Sequence, residues 1–594
     1  MLPPPAFMAK AIPQPEIILQ AMQAELQRSV EGLRVPGSPR PYYLAYGLRR
    51  HRELLLRASH GSLSRERERV RNDLHVDLRI GSHEFDNVMD GGLDGDAAER
   101  ESADWLQAPD DLDPIELRCA LWKLTQMKFD EAIEDYYDHR KTLVAEYLRD
   151  EVESFTREPA HVHIEPLDER PLPQAQWAAN LVELSKLLLE HPEVHDPELT
   201  IRADRIHRWF VDGTGTQVVT SDLWLEFEVR GWVLTDDGVY VEANRSLPCR
   251  KIEEMPDAAG MRALLDEVLA ELGELRVAET LGAFVGPALL YGQAASTMFH
   301  EALGHRLEGN RLVARGETRT FAHKLGERVL PAGLDVYDDP SMVEFEGRSL
   351  WGSYRVDDEG VLSARADLIR DGVLVGFLRN RTPLPDQQPE SEDDPERAGK
   401  RRKTIRKVET QHSNGHGRHD GVERTMARMG NLVVEGEPGA TKSFEALEAE
   451  LIALAKSQQR RHAAVIKRIR AGETATNSYD FQVFKGELAH IELIEVETGL
   501  RRRVRDLELI GTPLSALQKI VGFGGKAGID HGYCYAESGS VPVGGIAPAV
   551  LLSEVELQQA SRTGFHEPLL PPPFADDGSR GRIGSLRERG RRRR

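Results

Sequence analysis

The sequence is poor in cysteine and in long apolar runs, and its basic residues are outnumbered by acidic ones. Its 594 residues include three cysteines, Cys119, Cys249 and Cys534. A set this sparse and odd excludes a disulfide framework and fits a reducing compartment, where a single cysteine near other ligands is a metal or catalytic candidate. No uninterrupted apolar run is long enough for a bilayer, so no membrane span is predicted. The stretch MLPPPAFMAKAIPQPEIILQ lacks the apolar h-region of a secretory signal, and the expected location is cytoplasmic. The formal net charge is −21, which repels nucleic acid phosphates; solubility is the simplest use of that charge. A basic stretch, RGRIGSLRERGRRRR, stands apart, and residues 566–594 are expected to form a disordered, solvated tail. No G-x-S-x-G motif lies near a histidine partner, which leaves serine hydrolysis without support. No fixed-period repeat is found.

Hydrophobic residues make up 40% of the chain, enough for a core, and the length points to two domains or more. Ile17, Ile18, Met22 and Leu26 predict an amphipathic helix over 14–30. Tyr42, Leu44, Tyr46 and Leu48 alternate, as do Leu74, Val76, Leu78 and Ile80, and both runs predict half-buried strands. Residues 86–114, rich in Asp and Gly, read as an acidic loop. Helices are expected at about 115–150 and 175–190, strands from Ile206 to Asn244 with a hairpin at Asp236-Asp237-Gly238, and a helix over 257–274. The fold class is therefore α+β: an N-terminal α/β domain over 1–280, then a mixed, mostly β C-terminal domain over 281–565. Residues 385–427 are charged and nearly free of large apolar side chains, and are expected to be a mobile insertion. A helix near 443–456 and strands near 478–496 and 500–510 follow. GFGGKAG at 522–528 lacks the full spacing of a phosphate loop and reads as a flexible connector.

The chemistry concentrates in HEALGHRLEG, which supplies His300, Glu301 and His305. Zinc takes neutral imidazole and thiolate ligands, and a catalytic site keeps one position for water. A carboxylate beside the first histidine can take that water's proton and pass it to a leaving amine, a role open to Glu301. Histidines five positions apart lie about 140° apart around an ideal helix, so both can reach one metal only if the helix distorts or ends between them. Gly304 permits that break. The other reading of the motif is a surface helix whose His and Glu are solvated.

HEALGHRLEG resembles the metal motif of the TldD/PmbA family of peptidases, in its TldD-type, metal-bearing branch. WGSYRVDDEGV followed by ADLIRDGVLVGFLRNR is similar to the family's strands after the motif. SNGHGR and then ARMGNL resemble its GNGR…RM-N segment, and GYCYAESGSVPVGGIAP resembles its cysteine segment. The resemblance runs in order over about 280–560. It implies that His300 and His305 bind Zn2+, that Glu301 is the catalytic glutamate and that Cys534 completes the metal site of the C-terminal domain. It further implies a cavity where an unfolded or small peptide is held by backbone pairing to a strand. The implied partner is a paralogous PmbA/TldE-type subunit without the motif, or a second copy of the chain. The sequence departs from the family in its first 280 residues. It also departs at Asn310, where Asp is frequent, at Tyr535-Ala536, where Gly-Lys is usual, and over RRHAAVIKRIRAGETATNSYDFQV, which replaces a glycine-rich stretch.

Asn414 and Arg418, within SNGHGR, are candidates either for binding substrate carbonyls or for positioning their loop. His412, His416 and His419 read as incidental histidines of a flexible loop, and His161 and His163 as structural. Two functions from different classes remain: a zinc peptidase, of which a maturase for one modified peptide is a narrower form, and a non-catalytic subunit that binds peptides or a partner.

Overall fold

The computed structural model describes residues 13–93, 107–145, 152–385, 412–476, 483–560 and 572–575. The first half is built on a six-stranded sheet. Strands β1 (Pro41–Ser59) and β2 (Ser62–Ile80) form a long hairpin. Its turn residues His60 and Gly61 both have positive φ, 50° and 79°, the geometry that matches strand twist. Strands β3 (Val162–Ile164), β4 (Val194–Asp212), β5 (Gln217–Leu234) and β6 (Tyr240–Cys249) complete it. The order is β2-β1-β4-β5, with β3 and β6 both on β5.

Period-two alternation sorts this sheet into an apolar and a polar face. Leu44, Tyr46 and Leu48 of β1 with Leu74, Val76 and Leu78 of β2 pack on helices α1 (Pro15–Gly32) and α2 (Pro114–Ala145). Further along the same face, Leu54 and Leu56 join Ile201, Leu225 and Phe227 under helices α3 (Gln174–Ser185) and α4 (Ala258–Val277). The opposite face carries Arg49, His51 and Glu53 of β1, Asp204 and Arg208 of β4, and Trp224 and Glu226 of β5, and it turns toward the second half of the chain.

That second half holds a twelve-stranded sheet. In chain order its first elements are β7 (Glu279–Thr280), β8 (Ala283–Leu290), α5 (Gln293–Ala302), α6 (Asn310–Val313), β9 (Leu334–Asp338), the small hairpin β10 (Glu344–Phe345) and β11 (Arg348–Ser349), then β12 (Ala366–Arg370) and β13 (Val373–Leu374). A second small hairpin, β14 (Gly417–Arg418) and β15 (Met426–Ala427), precedes β16 (Asn431–Gly436), α7 (Phe444–Ser457), β17 (His462–Thr474), β18 (Phe484–Glu495), β19 (Arg501–Arg505), β20 (Leu507–Gly511), α8 (Pro513–Gln518), β21 (Ile520–Ala536) and β22 (Gly539–Gln559). The pairings β22–β8, β8–β17, β17–β18, β18–β20 and β20–β22 close a ring. Closure leaves these five strands no free edge along the ring. Helix α5 packs on β17, β21 and β22, and its apolar residues, from Ala294 to Ala302, are fully buried in the main core. No helix among the described residues is long and apolar enough to cross a membrane.

Several sequence expectations divide differently in the structure. Of the acidic loop at 86–114, residues 94–106 lie outside the described residues, Asp90–Gly92 form a single 3-10 turn, and α2 already begins at Pro114. Of the expected mobile insertion, 386–411 lie outside the described residues, whereas 412–427 are packed: His416, Arg418 and His419 are buried. Their charge is satisfied internally, which a reading of hydrophobicity takes for solvent exposure. GFGGKAG is no connector but the bulged start of β21, whose register shifts between Gly524 and Gly528. Of the tail at 566–594, only 572–575 are described.

The WGSYRVDDEGV segment joins the two halves. Asp358 Oδ1 lies 2.7 Å from Arg49 and 2.5 Å from Arg208, both on the polar sheet face. Arg208 also donates to the carbonyls of Val356 and Asp357 at 3.0 Å. Burial would push the Asp358 carboxyl up, but Arg49, His419 and Arg208 hold it well below its ordinary value. Replacing Asp358 with Ala strands two guanidinium groups in the interface and is expected to cost about 3–5 kcal/mol. Urea unfolding checks this, and an unchanged midpoint would remove Asp358 from the account of how the halves are joined.

Candidate metal centre

Helix α5 stops between the two histidines. After Ala302, Leu303 leaves helical geometry at φ −124° and ψ −55°, and Gly304–Leu307 continue as a 3-10 turn. The break swings His305 back toward His300, so that their ring centroids lie 4.9 Å apart with planes at 89°. The position requires glycine because of a close approach: a Cβ on Gly304 would sit 2.1 Å from Met429 Sδ.

Cys534 reaches the same point from β21. Its Sγ lies 3.2 Å from His300 Nε2 and 3.3 Å from His305 Nε2, and one donor atom of each residue falls within 4.8 Å of the others. Sulfur and nitrogen ligands on one tetrahedral zinc stand about 3.5 Å apart, so the donor set fits that ion in both chemistry and spacing. Burial would raise the Cys534 thiol, but His305, His300 and Arg428 together hold it well below the usual thiol range. Burial would likewise depress His300 and His305, yet the sulfur beside them keeps both raised.

Behind the donors lies a buried polar network. His305 Nδ1 is 3.0 Å from Glu308 Oε1. With the proton on Nδ1, Nε2 is left as the lone-pair nitrogen facing the sulfur, the arrangement by which a carboxylate orients a ligand histidine. Glu308 is fully buried. It also accepts from Arg311 Nε at 2.8 Å and lies 3.5 Å from Arg428 Nε. Burial opposes its charge, but His305, Arg311 and Arg428 bring it down to about 2. Arg311 continues to the Glu537 carboxylate at 3.0 and 2.9 Å. Arg428 donates to the Cys534 carbonyl at 2.6 Å and to Ser538 Oγ at 2.8 Å. Glu308 thus couples the His305 turn to the β21–β22 hairpin that carries Cys534.

Glu301 is buried at the end of α5 against β17, where Gly472 makes room for it; a Cβ on Gly472 would lie 2.7 Å from Glu301 Oε1. Asp530, on the Cys534 face of β21, meets Thr297 Oγ1 at 3.4 Å. Burial raises its carboxyl to about 7 against the opposing effect of His300. The sequence reading missed Glu308, Arg311, Arg428 and Asp530. Glu308 and Arg428 were visible only as members of HEALGHRLEG and ARMGNL, with no spacing rule to single them out.

Asn414 and Arg418 are spent within the protein. Asn414 Oδ1 accepts from the Arg379 amide at 2.8 Å, and Nδ2 donates to the Phe377 carbonyl at 3.0 Å. Arg418 donates to the Met429 carbonyl at 2.6 Å and lies over the Tyr354 ring. His416 bridges Asn414 and Asp338, and Asp338 in turn accepts from the Gly430 amide at 2.9 Å. These contacts hold the strip that carries Arg428 and Met429. Among the described residues, His412, His416 and His419 form no ligand cluster; His419 instead stacks on His75 with centroids 4.1 Å apart.

Residues 285–559 match the family model described as the PmbA/TldA metallopeptidase C-terminal domain, which makes this half of the chain a metallopeptidase-type domain. A metalloprotease of Methanocaldococcus jannaschii is 29% identical over 257 residues, 43% of this chain and 47% of that protein. A metalloprotease TldD homolog of Haemophilus influenzae is 29% identical over 274 residues, covering 45% and 47% of the two chains. The matched part spans about half the length of these curated relatives. The structure of TldE from Thermococcus kodakarensis superposes with a TM-score of 0.53 at 16% identity, over 91% of this chain and 100% of that one, which shows a common fold extending into the N-terminal half. Over residues 285–559 the chain belongs to the TldD/PmbA family.

Replacing Glu308 with Gln keeps its shape and removes its charge. Metal retention is expected to weaken about 10- to 100-fold, read by competition with a chromogenic chelator. Undiminished retention would mean that His305 is oriented without Glu308.

Proposed function

We propose that this chain is a zinc-dependent peptidase acting on unfolded or small peptides, with His300, His305 and Cys534 as the protein ligands of zinc. The convergence of two imidazole nitrogens and one sulfur from distant segments carries this reading. Among the described residues no fourth protein ligand joins the cluster. A structural site is closed by a fourth protein ligand, so this favours catalysis over a non-catalytic binding subunit. Zinc in such a site supplies Lewis acidity and water that ionises near neutral pH. Glu301, next to His300, takes the proton from the attacking water on its carboxylate and returns it to the leaving nitrogen. Glu308 keeps the His305 proton on Nδ1 throughout.

The substrate class follows from β21. Among the described residues, β21 pairs from Gly528 to Ala536 with β22 alone, so its other edge offers backbone groups beside Cys534. A peptide pairing there is held chiefly through its main chain, which gives weak sequence preference and requires an unfolded segment.

Glu301→Gln is expected to keep the metal and to lower peptide hydrolysis by about 10²- to 10⁴-fold. His305→Ala and Cys534→Ser are expected to lose metal and activity together. Elemental analysis beside a peptide-cleavage assay decides, and hydrolysis surviving in Glu301→Gln would sink the assigned roles. The likeness to TldE supports an assembly with a TldE-type paralogue or with a second copy. Light scattering on the purified chain should give twice its 66.6 kDa for a homodimer. A monomer that cleaves peptides alone would rule out both assemblies as requirements.

A further inference from the structure

We infer that the polar face of the N-terminal sheet holds a second divalent-metal site, built from His51 and Glu53 on β1 and Asp204 on β4. One ligand atom from each falls within 4.8 Å of the others. Strand register brings them together: Glu53 stands directly opposite Asp204, and His51 is two positions along the same face of β1. His51 Nδ1 lies 2.9 Å from Asp204 Oδ2. Adjacent ligands at right angles on one ion, each about 2.1 Å from it, are about 3 Å apart, so this pair already has ligand spacing. The Glu53 carboxylate, on the cavity wall, lies within 4.8 Å of both.

Two further observations point to a cation. His51 is 5% exposed, and its Nε2 makes no hydrogen bond; neither does the buried Oδ1 of Asp204. His51 Nε2 faces Asp73 Oδ2 at 3.5 Å, so Asp73 stands where a carboxylate orients a ligand histidine from behind. Around Glu53, Asp73 and Asp204, Arg71 lies 2.5 Å from Asp73 and 3.7 Å from Glu53. Arg49 is paired with Asp358 and Arg202 with Glu226 and Glu228, and Arg67 and Arg69 line the same cavity. Ligand geometry and the unbonded buried atoms therefore point to the ion, not an excess of negative charge.

The site has a way in. Glu53 and Asp204 line a cavity of about 290 Å³ whose other walls include Arg69, Trp224, Trp351 and Tyr533. An ion between His51 and this cavity keeps its remaining positions for water. One imidazole with two carboxylates suits a borderline ion of the Mn2+ to Zn2+ series.

Cobalt(II) tests the inference on the full chain, because thiolate-to-cobalt charge transfer marks an ion at Cys534 and is absent from a nitrogen–oxygen site. After gel filtration the wild type is expected to keep about two equivalents, and Cys534→Ser about one without the charge-transfer band. Asp204→Asn is expected to keep about one, with the band intact. Glu53→Gln, at a half-exposed wall position, decides the matter if Asp204→Asn fails to fold, and is expected to lose the same equivalent. A wild type that keeps one ion, lost in Cys534→Ser and retained in both N-terminal variants, would reduce the cluster to a set of ion pairs. One ion without the band, lost in Asp204→Asn, would uphold this site while the reading of the Cys534 centre fails.

Discussion

Glu308 has no access to solvent and is stable as a carboxylate only because His305, Arg311 and Arg428 surround it. Each of those partners belongs to a different structural requirement. His305 requires the broken helix end. Arg311 reaches Glu537 at the tip of the Cys534 hairpin, and Arg428 holds the Cys534 carbonyl itself. A buried charge left without partners is costly, so the three arrive together or not at all. The geometry of the donors therefore depends on one carboxylate that touches only one of them.

The same economy explains the strip from Asn414 to Asn431. Its polar side chains pair with backbone groups, so its main chain finds partners even outside the short β14–β15 hairpin. Asp338 and His416, both fully buried, brace it from the sheet side. Asn310 adds a further tie, accepting from the Ala427 amide at 2.7 Å and donating to the Gly91 carbonyl at 2.7 Å. The strip is thus fixed to both halves of the chain.

Much of this was legible in advance. The alternation at Leu44–Leu48 and Leu74–Ile80 gave away the N-terminal strands, and the five-residue spacing of His300 and His305 asked for a helix that distorts or ends between them if both face one metal. What stayed hidden was hidden for physical reasons. The strand β1 runs well past its apolar stretch because its polar face meets other protein rather than solvent, and β2 follows it through hairpin pairing although most of Ser62–Arg69 is exposed. GFGGKAG reads as a loop by composition, yet pairing with β22 makes it strand, since long-range partners override local preference. Glu308 and Arg428 lie more than a hundred positions apart in the chain, and no local pattern could pair them.

The closed ring of strands has a consequence for how the molecule is made. Its first member, β8, has to wait for β22, over 539–559, to pair on its other side. By then the N-terminal sheet, complete at Cys249, has been out of the ribosome for some time. The early half can fold during synthesis, whereas the later half is a nascent intermediate with unsatisfied strand edges until almost all of the described chain has emerged. Cys534 lies at the end of the penultimate strand, so the donor set assembles in the same late step that seals the ring. A half-made chain cannot bring His300, His305 and Cys534 together.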